Sequence, residues 1–558
     1  MMTSDRDLAT ALGVNDWTLD RALKRRCALT PDKPFILFED APALSFSAFS
    51  DLSRGYAATL HRCGVRSGQR IALLAGNSIE HIAVWFAANL LGAADAPINP
   101  NFSGRLLAQA LIRADTEIVI ADAALLPALA QACRDGAQLR QILTIGDADV
   151  WQDALGSVNA AISCRSLRPG PIEEAPAPVS KPGDVASILF TSGTTGPPKG
   201  VMVTQAQGHL TARQTINGLR VVADDVFFCA HPLFHMSPRF CVIYAALLSG
   251  ARVCFDRRFS ASGWIDRIRA TGATVTIGHG PLLEMIYAEP ERANDAETRL
   301  TRIGTAPFPK HIALDFERRF GVKGIETWGM TEINIPFWHP YDEPLKLGSC
   351  GRLSDDRYEF AILDPETDRP VPDGAIGEFA VRTKLPGIIS PGYLGDPEAT
   401  AQTWRSGWFH SGDSGYLDAD GWLFFVDRLG DRIRRRAENI SSYDIEFAAN
   451  LFPAVQESAA IGVPSGFASD EDIMLCVLVR PDQACAPIDL LAHLARELPH
   501  AMVPRYIEIL DEMPRTPTQK IRKAVLRQQG VSERTWDRKA AGIDLRDFIE
   551  MLERDQMR

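Results

Sequence analysis

With 558 residues, 46% of them apolar and 23% charged, the chain has the make-up of a globular protein long enough for several domains. Its net charge of −11 argues against a general nucleic-acid-binding role, because phosphate backbones demand a basic surface. Ten cysteines lie scattered from Cys27 to Cys485 without a CxxC pair or a cysteine–histidine cluster, which excludes a disulfide framework or zinc centre as the organising principle and predicts reduced thiols in the cytoplasm. The opening MMTSDRDL has acidic residues and no apolar core, unlike a secretory signal. In the first third, helix-like stretches at 47–63 and 79–92 alternate with strand-like runs at 70–75 and 117–121, the rhythm of an α/β sheet. The most membrane-like run, 82–94, is broken by Asn89 and closed by Asp95. It falls short of the ~18 apolar residues a span requires and reads as a buried helix. Residues 169–182 are too rich in proline for helix or sheet and read as a connector.

Residues 191–200 read TSGTTGPPKG, between apolar runs at 185–190 and 201–203. The flanks predict two strands of a hairpin with the polar run as its turn. Gly193, Gly196 and Gly200 let backbone N–H groups approach an anion, Thr191, Ser192, Thr194 and Thr195 add hydroxyl donors, and Lys199 adds a point charge. The spacing lacks GxxxxGK followed by Ser or Thr, and a hairpin is not the strand-to-helix setting of an ordinary P-loop. Further strand-like runs follow at 251–255, 274–277 and 359–363. Past Arg428 a smaller unit is predicted, with strands at 459–463, 473–479 and 506–510 and an amphipathic helix at 488–498. From about Val531 a charged tail carries Ile543, Leu545, Phe548, Ile549 and Leu552 at helical spacing, a stripe that predicts a helix packed back onto its parent domain or, alternatively, onto another subunit.

The phosphate loop is followed, in order, by Gly304, Thr305, Ala306 and Pro307; by Trp328, Gly329, Met330, Thr331 and Glu332; by GSCGR at 348–352; by WFHSGD at 408–413; by DRLGD at 427–431; and by Lys520. This series resembles the AMP-forming adenylate ligases, the superfamily of acyl-CoA synthetases, peptide-synthetase adenylation domains and firefly luciferases, and the resemblance covers most of the chain. The pattern at 426–441 is similar to that of carnitine/crotonobetaine-type CoA ligases. The resemblance implies an α/β fold with a large N-terminal adenylation domain, 1–428, and a smaller mobile α+β C-terminal domain, 429–558, hinged at Gly430. It implies ATP, Mg2+ and CoA as cofactor and co-substrates, a small-molecule carboxylic acid as partner, no nucleic acid, no transmembrane segment, and a possible homodimer.

By the same resemblance, residues 191–200 hold the β- and γ-phosphates, the Thr331 hydroxyl meets the α-phosphate and Glu332 helps bind magnesium, for which a carboxylate is a suitable hard ligand. Trp328 stands where relatives have a tyrosine stacked on adenine, and residues 304–307 wall the other side of the base. Asp413 accepts from the ribose hydroxyls. Arg428 contacts ribose or phosphate, an ion pair being the plainer reading. Lys520 bridges carboxylate and α-phosphate, with Gln519 where glycine is usual. In HPLFH, 231–235, Pro232 argues against a metal-binding helix. The resemblance makes His235 a gate or wall beside the acyl group, together with pocket candidates Arg239, His279, Ile333, Pro336 and Phe337. Arg436 and Ala437 replace two glycines of the pantetheine channel. The implied activity is acid–CoA ligation through an acyl-adenylate. A stand-alone adenylating enzyme loading a carrier protein and a non-catalytic nucleotide-binding protein are the alternatives.

Overall fold

The computed structural model describes residues 12–39, 41–146, 162–191, 199–431, 433–435, 438–440, 442–465, 471–516 and 519–556. Contacts divide the chain into a larger unit, Met1–Phe360 with Val381–Phe409, and a smaller one, Ala361–Ala380 with His410–Arg558.

The larger unit holds two sheets. In one, seven strands run in the order Ser163–Ser166, Gln141–Ile145, Ile118–Asp122, Arg70–Leu74, Ala94–Pro97, Val185–Thr191 and Lys199–Thr204. All neighbours are parallel except the last pair, the expected antiparallel hairpin, in which Thr191 lies opposite Lys199. The other sheet runs in parallel from Pro34–Phe38 through Arg252–Phe255, Val226–Cys229, Val275–Gly278 and Arg302–Thr305 to Lys323–Met330, then turns antiparallel into Asn334–Trp338 and Ser349–Leu353. Parallel strands buried on both faces need near-continuous apolar sequence, which these short Val- and Ile-rich runs supply. The membrane-like run is the helix Ile79–Leu90, capped by the Ser78 hydroxyl at 3.0 Å from the His81 N–H and buried from His81 onward. Its Trp85 and Phe86 form a chain of edge-to-face contacts with Phe49 and Phe240. Among the described residues no helix is long and apolar enough to cross a membrane. All ten cysteines are free.

The smaller unit carries the hairpin Phe409–Leu417 with Trp422–Arg428 and a four-stranded sheet ordered Val455–Pro464, Glu471–Val479, Tyr506–Leu510 and Trp536–Asp537. Helices Ser442–Asn450, Pro487–Glu497 and Leu545–Gln556 cover it. The tail packs back onto its own unit: Leu545, Phe548 and Leu552 join the apolar core of Ile473, Leu475, Leu490 and Leu494. An eight-residue π-helix, Ser237–Tyr244, had no counterpart in the sequence reading.

Candidate active site

The two units each carry a constellation of the expected residues. In the larger unit the hairpin positions Lys199 at the start of its second strand, while Ser192, Gly193, Thr194, Thr195 and Gly196 lie outside the described residues. The Thr331–Glu332 pair sits in the tight turn between Lys323–Met330 and Asn334–Trp338. That turn needs glycine at 329, because a Cβ there would come 2.1 Å from the Asn334 carbonyl oxygen. Glu332 is 5% exposed, and its Oε1 accepts from the Tyr393 hydroxyl at 2.9 Å. Its backbone carbonyl accepts from the Ser390 N–H at 2.8 Å and from Gln207 Nε2 at 3.2 Å; the latter amide also reaches the Thr331 carbonyl at 2.8 Å. Gln207 is wholly buried in the first turn of the helix Gln205–Leu219, directly after the hairpin. One side chain thus ties the helix that follows the hairpin to the turn bearing the acid. The Lys199 ammonium lies 4.8 Å from the centre of the Tyr393 ring.

Trp328 is buried, with Phe337 and Phe360 set edge-on to it, each 5.9 Å away. Gly304 is buried against Leu219, whereas Ala306 and Pro307 reach the surface, and the Thr305 hydroxyl donates to the Pro307 carbonyl at 2.7 Å. Behind this loop, Glu326 is buried, and burial pushes its carboxyl up to about 8 against the opposing pull of the Phe308 N–H and Lys310.

His235 is half-buried, next to Phe234 and at the mouth of the π-helix. His231 and His279 stack 4.9 Å apart. Burial first, then the charges that His279 and His235 would carry, holds the His231 imidazole well below its ordinary value, so it stays neutral. Ile333, Pro336 and Phe337 are buried. Arg239 is a correction: it does not face a pocket. It is wholly buried with Asp95, to whose carboxylate oxygens it donates at 2.7 Å each, bonds Ser187 at 3.0 Å, and lies over Trp85. The π-helix turns this residue inward, where its charge is already neutralised.

In the smaller unit, Asp413 and Arg428 face each other across the hairpin, with Nε and Oδ1 3.1 Å apart. The Lys520 ammonium belongs to the same group: desolvation lowers its pKa, Arg428 pushes the same way and Asp413 opposes them. The residue itself is exposed. Its loop is closed by Thr516, which exchanges bonds with the Lys520 N–H and carbonyl, and Gln519 adopts φ 67°. Beneath it the helix Lys523–Gln529 is fixed by a polar cluster invisible to motif reading. Lys523 Nζ lies 2.7 Å from Glu446 Oε1 and 2.5 Å from Ser442 Oγ, Ser442 donates twice to Asp427, and Arg527 pairs with Asp431 at 2.6 Å. Gly430 is exposed and its φ is not positive. Arg436 and Ala437 lie outside the described residues.

Tyr393, Gln207 and Glu326 were missed by sequence reasoning. Only Tyr393 carried a signal, the turn-forming Pro391–Gly392 beside an aromatic. A family model described as AMP-binding enzyme matches residues 23–394, and one described as AMP-binding enzyme C-terminal domain matches 444–520. The chain is 32% identical to a sulfoacetate–CoA ligase of Cupriavidus necator over 526 residues, covering 91% of this chain and 97% of the relative. It is 28% identical to a crotonobetaine/carnitine–CoA ligase of Salmonella heidelberg, covering 89% and 96%. The crystal structure of ATP-bound MatB from Rhodopseudomonas palustris superposes with a TM-score of 0.79 at 25% identity, covering 93% of this chain and 99% of that one.

Proposed function

Since this chain belongs to the AMP-binding enzyme family, whose large and C-terminal models it matches in order, we propose that it joins a small polar carboxylic acid to coenzyme A through an acyl-adenylate. It is an acyl-CoA synthetase of the AMP-forming kind, using ATP and CoA. The substrate class is inferred from relatives that act on sulfoacetate and on crotonobetaine or carnitine, together with the neutral, buried His231 beside His235 and His279, which offers hydrogen bonds without a fixed charge.

The observation that carries the proposal is the gathering of Lys520, Asp413 and Arg428 in the smaller unit. In the first half-reaction a carboxylate oxygen attacks the α-phosphorus and pyrophosphate leaves. Two anions must meet, and a lysine ammonium at that point offsets their repulsion and the charge that develops as the bond forms. Asp413 supplies two acceptor oxygens for ribose hydroxyls, with Arg428 holding its orientation. In the second half-reaction the CoA sulfur attacks the acyl carbon, and AMP leaves with the electron pair of the broken C–O bond. Magnesium fits the donors at the Thr331–Glu332 turn, a hydroxyl and a buried carboxylate, both hard oxygen ligands. Glu332 would hold it, and the ion would supply positive charge to the phosphates. We place the pivot between the half-reactions at Gly430 and the protein in the cytoplasm.

The test is pyrophosphate release with ATP, magnesium and a panel of carboxylic acids, each run with and without CoA and followed for thioester by mass. Thioester on one acid class is expected. Acyl-AMP without thioester would instead favour a carrier-protein acceptor, the reading that Arg436 and Ala437 motivate, and ATP binding with no turnover on any acid would favour a binding protein.

A further inference from the structure

Tyr393 stands between two groups of opposite charge. Its ring receives the Lys199 ammonium at 4.8 Å, and its hydroxyl donates to Glu332 Oε1 at 2.9 Å. The residue is 7% exposed, and its ring is wedged edge-on against Trp404, 5.6 Å away. Its backbone is part of the phosphate hairpin as well: Tyr393 bridges to Val201, the Met202 N–H donates to the Gly392 carbonyl at 3.1 Å, and the Leu394 N–H donates to the Gly200 carbonyl at 2.8 Å. Glycine is required at 392 by its own surroundings, since φ is 138° and a Cβ would meet Thr400 at 2.5 Å. The same segment reaches Glu332 a second time through the Ser390 N–H.

We propose that Tyr393 is a positioning residue for adenylation, fixing the Glu332 carboxylate and the Lys199 ammonium in one frame while leaving both charged. The inference rests on the nucleotide-site reading above. A direct lysine–glutamate pair would neutralise each group with the other. The tyrosine instead gives the cation the negative face of a ring and the carboxylate a neutral O–H donor, so both keep their charge for phosphate and metal.

The test compares wild type, Tyr393→Phe, Glu332→Gln and the double variant. Calorimetry reads ATP binding as a function of magnesium concentration, thermal melting reads fold, and pyrophosphate release reads turnover. Tyr393→Phe keeps the ring and removes only the donor. It is expected to melt within ~2 °C of wild type, to bind ATP alone as wild type does, and to need about tenfold more magnesium for half-maximal ATP binding and pyrophosphate release, the size of one hydrogen bond to a charged group. In the Glu332→Gln background the same substitution is expected to shift the magnesium requirement no further. An unchanged magnesium requirement in Tyr393→Phe, or an equal penalty in both backgrounds, overturns the proposal and leaves the nucleotide reading intact. Wild type that binds no ATP with magnesium overturns both.

Discussion

Gln519 holds φ 67°, in the left-handed region that costs a side-chain-bearing residue roughly 1–2 kcal/mol, and it directly precedes Lys520. The loop pins it there: its N–H donates to the Thr516 carbonyl at 2.9 Å, and Arg515 donates to its carbonyl at 2.9 Å. Gln519→Gly is therefore expected to raise thermal stability slightly, by up to ~1 kcal/mol after the greater unfolded-state freedom of glycine is subtracted. The looser lysine should lower the adenylation rate, a combination that melting and pyrophosphate-release assays separate. The departure from glycine was legible in the sequence, whereas the positive φ is seen only in the structure. Glu326 was not legible, because nothing in ETWG announces a carboxylate buried behind the Ala306–Pro307 loop. Its ordinary value of 4.5 is pushed up to about 8 by burial. A group that holds its proton more tightly folded than unfolded contributes its full stability below pH 4.5 and loses it as pH rises through 8. Glu326→Gln, which cannot ionise, is expected to escape that loss. Melting curves from pH 4 to 9 should show the variant gaining on wild type between about 4.5 and 8 and level above.

The helix Gln205–Leu219 connects the hairpin's chemistry to the Thr331–Glu332 turn. Thr204 starts it, its hydroxyl accepting from the Gln207 N–H at 3.0 Å and donating to the Gly387 carbonyl at 2.6 Å. Gln207 then spends its two amide hydrogens on the carbonyls of Thr331 and Glu332. Gln207→Leu would take the buried donor from the Thr331 carbonyl and leave the Glu332 carbonyl with the Ser390 N–H, at about 1–3 kcal/mol. It is expected to lower the melting temperature by several degrees and to raise the magnesium requirement together with the KM for ATP, because the turn itself shifts. Elements of this kind were legible wherever side-chain period matches backbone geometry. The strand at Tyr506–Leu510 and the helix Leu545–Gln556 follow from apolar spacing, and the helix Ile79–Leu90 from an apolar run too short to cross a membrane. The π-helix Ser237–Tyr244 was not, since all but its first residue is buried and its sequence therefore shows no apolar stripe from which its winding could be read. Arg239, expected at a pocket by resemblance, is found paired with Asp95.

At the scale of the whole molecule, two half-reactions with different nucleophiles share one acyl group, and the proposed rotation at Gly430 serves both. Contacts group the hairpin bearing Asp413 and Arg428 with the C-terminal sheet, so a pivot at Gly430 has bonds crossing it. Ser442, after the pivot, donates to Asp427, before it, at 2.8 and 2.6 Å, and these bonds must break on rotation. Arg527–Asp431 lies wholly after the pivot and travels intact. Gly430 itself is unconstrained here: a Cβ would meet nothing within 4 Å, and its φ is not positive. Alanine therefore fits this conformation and, by restricting the unfolded chain, should stabilise it by about 0.4–1 kcal/mol. A swivel that carries residue 430 into left-handed angles is another matter, because alanine pays roughly 1–2 kcal/mol there. Gly430→Ala is accordingly expected to leave single-turnover acyl-AMP formation within about twofold of wild type and to slow thioester formation from that adenylate about tenfold, as rapid-quench measurement of each step would read. Equal rates in both steps would move the pivot to another residue, whereas a loss confined to adenylation would show that the conformation described here is the one serving CoA.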